Sequence, residues 1–220
     1  MSKSYNQYCP IAKALDLVGD RWSLLIVREL LIRGPSRYTD VRNGLPGIAT
    51  NLLAGRLREL ERAGLVKKEE APPPIATTLF DLTERGQALE PVLLQLGAWG
   101  SPLLATARRS YGPMPHWLVL LLRLHFAGSV PGASRARIEI RADGVPITLD
   151  LKGGKVSIVL GPSRAADARI TGDAATVLEF MTGRLPRVRA QRRGLRLAGD
   201  LSAIRRIVPR CTRKGLPASR

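Results

Sequence analysis

"NLLAGRLRELERAGLVKKEEAPPP", residues 51–74, runs from a regular amphipathic segment into four consecutive charges and then three prolines. On a helical wheel of about 100° per residue, Leu53, Leu57 and Leu60 share one narrow arc, with Arg56 beside it. Asn51, Gly55, Arg58 and Arg62 fall opposite, with Ala54 on the shoulder. One side is committed to a core. The other carries an amide, two guanidiniums and small residues that permit close approach. DNA asks for such a set in its major groove, where Asn bonds adenine and Arg bonds guanine or phosphate. The helix N-terminus adds partial positive charge. The plainer reading is the solvated face of an ordinary helix.

The charges and prolines bear on that choice. Pro72, Pro73 and Pro74 disfavour helix and supply no N–H groups for edge pairing. A stiff hairpin tip with Lys67 and Lys68 at its base can lie along a phosphate backbone. Glu69 and Glu70 would oppose this if they pointed the same way.

Working outward, "CPIAKALDLVG" predicts a short helix ending near Gly19. "DRWSLLIVRELLIRG" predicts another, capped by Asp20 and stopped by Gly34. "RYTDVRNGLPG" reads as a brief helix capped by Thr39 and broken by Asn43-Gly44 and Pro46. After the helix at 51, Leu65-Val66 and Thr78–Leu82 flank the proline loop as two strands. "TERGQALEPVLLQLGAWGSPLLATARR" then predicts a long, glycine-interrupted helix opened by Thr83. Trp22 and Trp99 are read as packing residues.

These residues resemble the HxlR family of bacterial winged-helix regulators, relatives of the MarR type. "CPIAKALDLVGDRWSLLIVREL", "RYTDVRNGLPGIATNLLAGRLRELERAGLV" and "LFDLTERGQALEPVLLQLGAWG" carry the likeness over roughly residues 8–105. It implies a homodimer, joined mainly by its terminal helices, that binds double-stranded DNA at an operator near a promoter. It places a recognition helix at about 50–63 and a wing at about 67–78. Ala49 stands where such regulators often carry Ser or Thr, so the expected cap moves to Thr50. The candidate DNA contacts are Arg37, Thr39, Thr50, Asn51, Ala54, Gly55, Arg58, Arg62, Lys67 and Lys68. Cys9 sits where some members keep a redox-sensing thiol, although a buried or interfacial thiol is the plainer reading. An activated thiolate needs a nearby cation or helix N-terminus, and Lys13 is one turn away.

A different composition begins near Tyr111-Gly112-Pro113. "ARIEIR", "PITLDL" and "KVSIVL" alternate, placing Ile138, Ile140, Ile147, Leu149, Leu151, Val156, Ile158 and Leu160 on one face. "ADG" and "KGGK" supply hairpin turns, and Asp173 is placed to cap the helix "DAATVLEFMTGR". "GVPITLDLKGGKVSIVLGPSRAADARITGDAATVLEFMTGRL" and "GLRLAGD" resemble sterol-carrier-protein-like domains. Such domains are implied to enclose an apolar tunnel for lipids or acyl chains. Trp117, Leu121, Phe126, Phe180 and Met181 are the candidate apolar-pocket residues, with core filling as the plainer reading.

The expected architecture is therefore two domains and a tail. Residues 1–110 form a mainly α winged helix-turn-helix with a two-stranded wing. Residues 111–210 form an α+β sterol-carrier-like domain, an antiparallel sheet with helices on one face. A basic tail covers 211–220.

The net charge of +17 is uneven: residues 1–110 hold 15 basic and 11 acidic side chains, residues 111–220 hold 20 and 7. A polyanionic partner suits the excess, as does plain solubility. The arginines of "RLPRVRAQRRGLRL" and the C-terminal tail read either as solvated surface or as auxiliary phosphate contacts. Two distant cysteines, Cys9 and Cys211, make neither a disulfide framework nor a zinc site and favour the cytoplasm. "WLVLLLRLHF" is about half the ~20 residues a bilayer span needs and contains Arg123, so no membrane span is expected. His116 and His125 are the only histidines and lack metal-type spacing. No catalytic constellation is found and no cofactor is expected. The competing reading is a lipid- or acyl-chain-binding protein whose winged helix serves protein–protein contacts.

Overall fold

The computed structural model describes residues 4–72, 76–105, 114–127 and 135–208. Pro73 and Pro74, the 111–113 junction, Cys211 and the tail expected at 211–220 lie outside them. The chain divides into two compact units, Met1–Leu96 and Gly97–Arg220.

In the first unit, α1 (Pro10–Val18) opens on a proline, whose missing N–H costs nothing in a first turn. At the start of α2 (Ser23–Arg33) Trp22 holds the cap position, and the Asp20 carboxylate accepts, as expected, from backbone N–H groups, those of Trp22 and Ser23 at 2.8 and 3.1 Å. A two-residue strand β1 (Ser36–Arg37) leads into α3 (Tyr38–Asn43). Thr39 does not cap α3. Arg37 takes the cap position, and the Asp40 carboxylate accepts from its backbone N–H.

α4 (Thr50–Arg62) also departs from its expected start. Ala49, not Thr50, holds the cap position, and it has no side-chain oxygen to offer the first turn. Leu53, Leu57 and Leu60 are buried as the wheel requires. They join Ile26, Val27 and Leu30 of α2 in one core with Val41, Val66 and Phe80.

β2 (Val66–Glu70) and β3 (Thr78–Leu82) form the expected antiparallel hairpin, and β1 adds a third strand on the far side of β3. The long helix expected after it is broken. Thr83 does cap a helix, accepting from the Gly86 N–H, but that helix is only α5 (Glu84–Gln87). α6 (Glu90–Gly100) restarts with Pro91 in its first turn and runs past the division between the units; a 3-10 segment, Ser101–Ala105, follows in the second unit. A proline there cannot continue the preceding ladder and is tolerated only where a helix begins. Trp99 does not pack as expected; it is 75% exposed.

In the second unit a 3-10 turn (Pro115–Trp117) opens α7 (Leu118–His125). β4 (Ala136–Ala142), β5 (Val145–Lys152) and β6 (Lys155–Leu160) are joined by tight turns at Asp143-Gly144 and Gly153-Gly154. All four turn residues have positive φ, the conformation such two-residue hairpins demand. β7 (Ala168–Gly172), α8 (Ala174–Met181), α9 (Arg187–Arg192), β8 (Arg196–Gly199) and α10 (Leu201–Ile207) complete it. Asp173 caps α8, accepting from the Thr176 N–H at 2.8 Å.

The sheet order is β6-β5-β4-β7-β8, and the expected all-antiparallel sheet is corrected to a mixed one, because β4 and β7 pair in parallel. The register explains how a short link achieves this. Leu160 ends β6 level with Ile147 and hence Ile140, while Ala168 opens β7 level with Ile138. Residues 161–167 thus need little travel along the strands and cross three spacings of about 4.8 Å each. The predicted alternation holds for Ile138, Ile140, Ile147, Leu149, Leu151 and Ile158, which are buried, whereas Val156 and Leu160 on the edge strand β6 are half-buried. α7 packs on β6, α8 on β7, and α10 on β4 and β7.

Candidate nucleic-acid interface

Burying three leucines orients α4, and its opposite face is left open. Thr50, Asn51, Arg58 and Arg62 are exposed, and Ala54 and Gly55 are half-buried. Nothing lies within 4 Å of a Cβ built on Gly55, so backbone there is approachable from outside. Arg58 and Arg62 pair with no acid among the described residues, unlike Arg56, which reaches Asp20 at 3.3 Å and also Glu59. Asn51 accepts from the Leu52 N–H through Oδ1 at 2.9 Å.

Three ties set the position of α4, none of them read from the sequence. Arg56 joins it to the Asp20 cap of α2. The Tyr38 hydroxyl donates to the Thr50 carbonyl at 2.6 Å, linking α3 to its first residue. Beneath the α3–α4 turn, fully buried Glu29 pairs with Arg28 at 2.7 Å and Arg33 at 3.3 Å, while Arg28 also donates to the Gly44 carbonyl. Burial lowers the Arg28 pKa, against the opposing pull of Glu29. The signal available for Glu29 was a lone acid on an otherwise apolar helix face.

The wing divides the two lysines. Strand alternation puts Lys67 on the face of Asp81 and Glu69, and Lys68 on the face of Phe80. Lys67 lies 2.5 Å from Glu69 and 4.0 Å from Asp81, and the Glu69 carboxylate raises its pKa. Lys68 reaches Glu61 of α4 at 2.9 Å. Glu70 accepts from the Thr78 hydroxyl across the hairpin. Lys68 then shares a cleft of about 690 Å³ with Arg37, Tyr38, Thr39, Thr78 and Phe80. The structure thus groups Arg37, Thr39 and Lys68 in one place, sets the α4 residues in another, and leaves Lys67 on the opposite side of the wing.

Helix, turn, second helix with an open polar face, then a small sheet: the geometry is that of a winged helix-turn-helix. The comparisons agree. The family described as HxlR-like helix-turn-helix matches residues 17–107. The uncharacterized HTH-type transcriptional regulator YvaP of Bacillus subtilis is 35% identical over 97 residues, covering 44% of this chain and 89% of that protein. The chain belongs to the HxlR-like helix-turn-helix family. A second relative, the HTH-type transcriptional regulator YodB of Bacillus subtilis, is 36% identical over 95 residues, 43% of this chain and 84% of its own. The solved structure of reduced YodB aligns with a TM-score of 0.40 and 32% identity, over 46% of this chain and all of that one. Residues 131–209 match the SCP-2 sterol transfer family, so this HxlR-like protein carries an SCP-2 domain as well.

The remaining candidates are placed as follows. Cys9 precedes the first turn of α1, half-buried as a free thiol, while Lys13 lies 3.8 Å from Asp16. Phe126, Phe180 and Met181 are buried within the second unit, and Trp117 and Leu121 are half-buried. Among the described residues no helix is long and apolar enough to cross a membrane, and no cluster of acidic, His or Cys side chains could hold a metal.

Proposed function

We propose that this HxlR-like protein is a sequence-specific transcriptional regulator that works in the cytoplasm as a homodimer on a promoter operator. The recognition helix, about 50–63, enters the major groove, and the wing, about 67–78, follows the phosphate backbone. The observation that carries this reading is α4 itself. Its three leucines are buried to 1% exposure or less, while Asn51, Arg58 and Arg62 stand open. Its uncapped first turn leaves backbone N–H groups for a phosphate. Arg37, Thr39 and Lys68 provide a second cluster beside the wing.

The homodimer reading is supported by apolar side chains without cover. Tyr8, Ile11 and Leu15 at α1 and Val92, Leu96 and Trp99 on α6 are exposed, more than an isolated regulator domain has reason to show water. An apolar ligand in the SCP-2 domain, near Trp117, Leu121, Phe126, Phe180 and Met181, is proposed to modulate DNA binding. It can do so only by binding one conformation better than another.

The SCP-2 match itself favours a second reading, a lipid-binding protein whose winged helix holds another protein. Footprinting of the DNA upstream of its own gene, with random duplex as competitor, separates the two. A regulator protects a discrete segment that random DNA does not displace at physiological salt. Weak, salt-labile binding with no protected segment overturns the regulator reading.

A further inference from the structure

The face of the second unit's sheet opposite its apolar core carries a set of cations that the winged helix does not explain. Strand alternation and register place Arg141, Thr171 and Arg196 in one cross-strand row, and Glu139, Arg169 and Ala198 in the next. The Cα atoms of Arg141 and Arg196 are therefore about 10 Å apart, with Thr171 between them. Arg137 lies on the same face, paired with Asp150 at 2.5 Å, and exposed Lys152 and Lys155 extend it toward the β5–β6 turn.

Glu139 organises this row. It is only 1% exposed. Its Oε1 accepts the Nε–H of Arg141 at 2.7 Å and of Arg169 at 3.0 Å, and its Oε2 accepts the Ser163 N–H at 3.1 Å. Both guanidiniums are held through Nε alone. Their terminal nitrogens, and the whole Arg196 guanidinium, have no partner among the described residues, while about half of each of the Arg141 and Arg169 side chains faces solvent. A buried carboxylate that fixes two arginines by their inner nitrogens leaves two oriented forks aimed outward. Such forks suit the oxygens of a phosphate, at little further entropic cost.

We propose that this face, built on Arg141, Arg169 and Arg196, is a second DNA-binding surface that grips the phosphate backbone of duplex DNA without reading sequence. The choice of polyanion rests on the DNA-binding reading above. It is also favoured by what the face lacks: among the described residues its exposed large apolar side chain is Val159, out on the edge strand β6. A surface that settles into lipid headgroups carries Trp, Phe or Leu to insert.

The test measures affinity of the full chain for a short duplex of random sequence from about 50 to 200 mM salt. Removing one arginine–phosphate pairing should reduce the slope of log K against log salt by about 0.9. Arg196→Gln leaves Glu139 and its partners intact and should remove about one such step. The triple variant Glu139→Gln, Arg141→Gln, Arg169→Gln avoids stranding a buried carboxylate and should remove about two, with circular dichroism melts confirming that it folds. Sedimentation with phosphatidylserine–phosphatidylcholine vesicles forms the parallel arm. An unchanged slope on DNA in the folded variants overturns the proposal, whether or not vesicle binding is lost. Random duplex keeps this result separate from operator recognition. A chain with no preferred operator but an Arg196-dependent salt slope would sink the regulator reading and leave this surface standing.

Discussion

Gly44 sits directly against Glu29, so close that a Cβ built on the glycine would lie 2.0 Å from the Glu29 Oε2. The turn leading into α4 thus rests on a buried carboxylate, which in turn is held by Arg28 and Arg33. Gly44→Ala must push the turn or the carboxylate aside, at an expected cost of about 1–3 kcal/mol. Urea denaturation should show a lower midpoint at unchanged slope. A midpoint equal to that of the parent would mean that Glu29 is not confined as described.

Leu57 and Arg58 are chain neighbours with opposite duties, one buried and one exposed. Leu57→Ala should cost about 2–5 kcal/mol of stability through reduced burial and the cavity left behind. Arg58→Ala should leave stability within about 0.5 kcal/mol and instead weaken preference for operator over random duplex by about 1–3 kcal/mol. Thermal melts and competition binding on both variants check the division. Equal losses of stability would show that α4 is oriented differently.

Glu139 makes part of the second unit's stability pH-dependent. The Arg141 guanidinium, with help from the Ser163 N–H and Arg169, holds its carboxyl below the usual range despite the opposing effect of burial. A depressed folded pKa means the unfolded chain takes up the proton first. The stabilisation is therefore complete above the unfolded value of about 4.3 and is lost as pH falls through the folded one. Melting curves of the parent and of Glu139→Gln should differ most at neutral pH, draw together once pH falls below about 4.3, and meet only below the depressed folded value. A gap that stays constant into acid would exclude ionised Glu139 as its source.

The Thr83 hydroxyl accepts from the Gly86 N–H at 3.1 Å and donates to the Gly64 carbonyl at 2.7 Å. One side chain thus caps α5 and fastens it to the turn that ends α4. Thr83→Ala should cost about 1–2 kcal/mol, the upper part of the range for an N-cap, and Thr83→Ser should recover most of it. Chemical denaturation of the two variants side by side tests this. No difference between Ala and Ser would show that neither bond matters.

Short-range patterns were legible wherever a residue's environment is set by its immediate neighbours. The leucine arc of α4, the caps at Asp20, Thr83 and Asp173, and the glycine turns of the second sheet all have this character. The structure departs from expectation where a partner lies far along the chain. β1 is two residues long and has no periodicity of its own; it is a strand because β3 lies beside it. β7 pairs in parallel with β4 from about thirty residues away, a choice that alternation cannot express. Thr39 and Thr50 looked like caps by residue type, yet Arg37 and Ala49 occupy those places because the backbone turns two residues earlier in the first case and one in the second.

By itself the sequence determined which side of α4 must be hidden, since three leucines at helical spacing have no other low-energy place to go. That alone fixed which amide and guanidiniums remain outside. Only the tertiary structure decided how these groups are held and shared out. It put Glu29 under the turn, tied Tyr38 to Thr50, set Lys68 against Glu61, and gathered Arg141 and Arg169 over Glu139. Each of these depends on charged or polar groups that can satisfy themselves in several ways, and packing against distant segments selects among them.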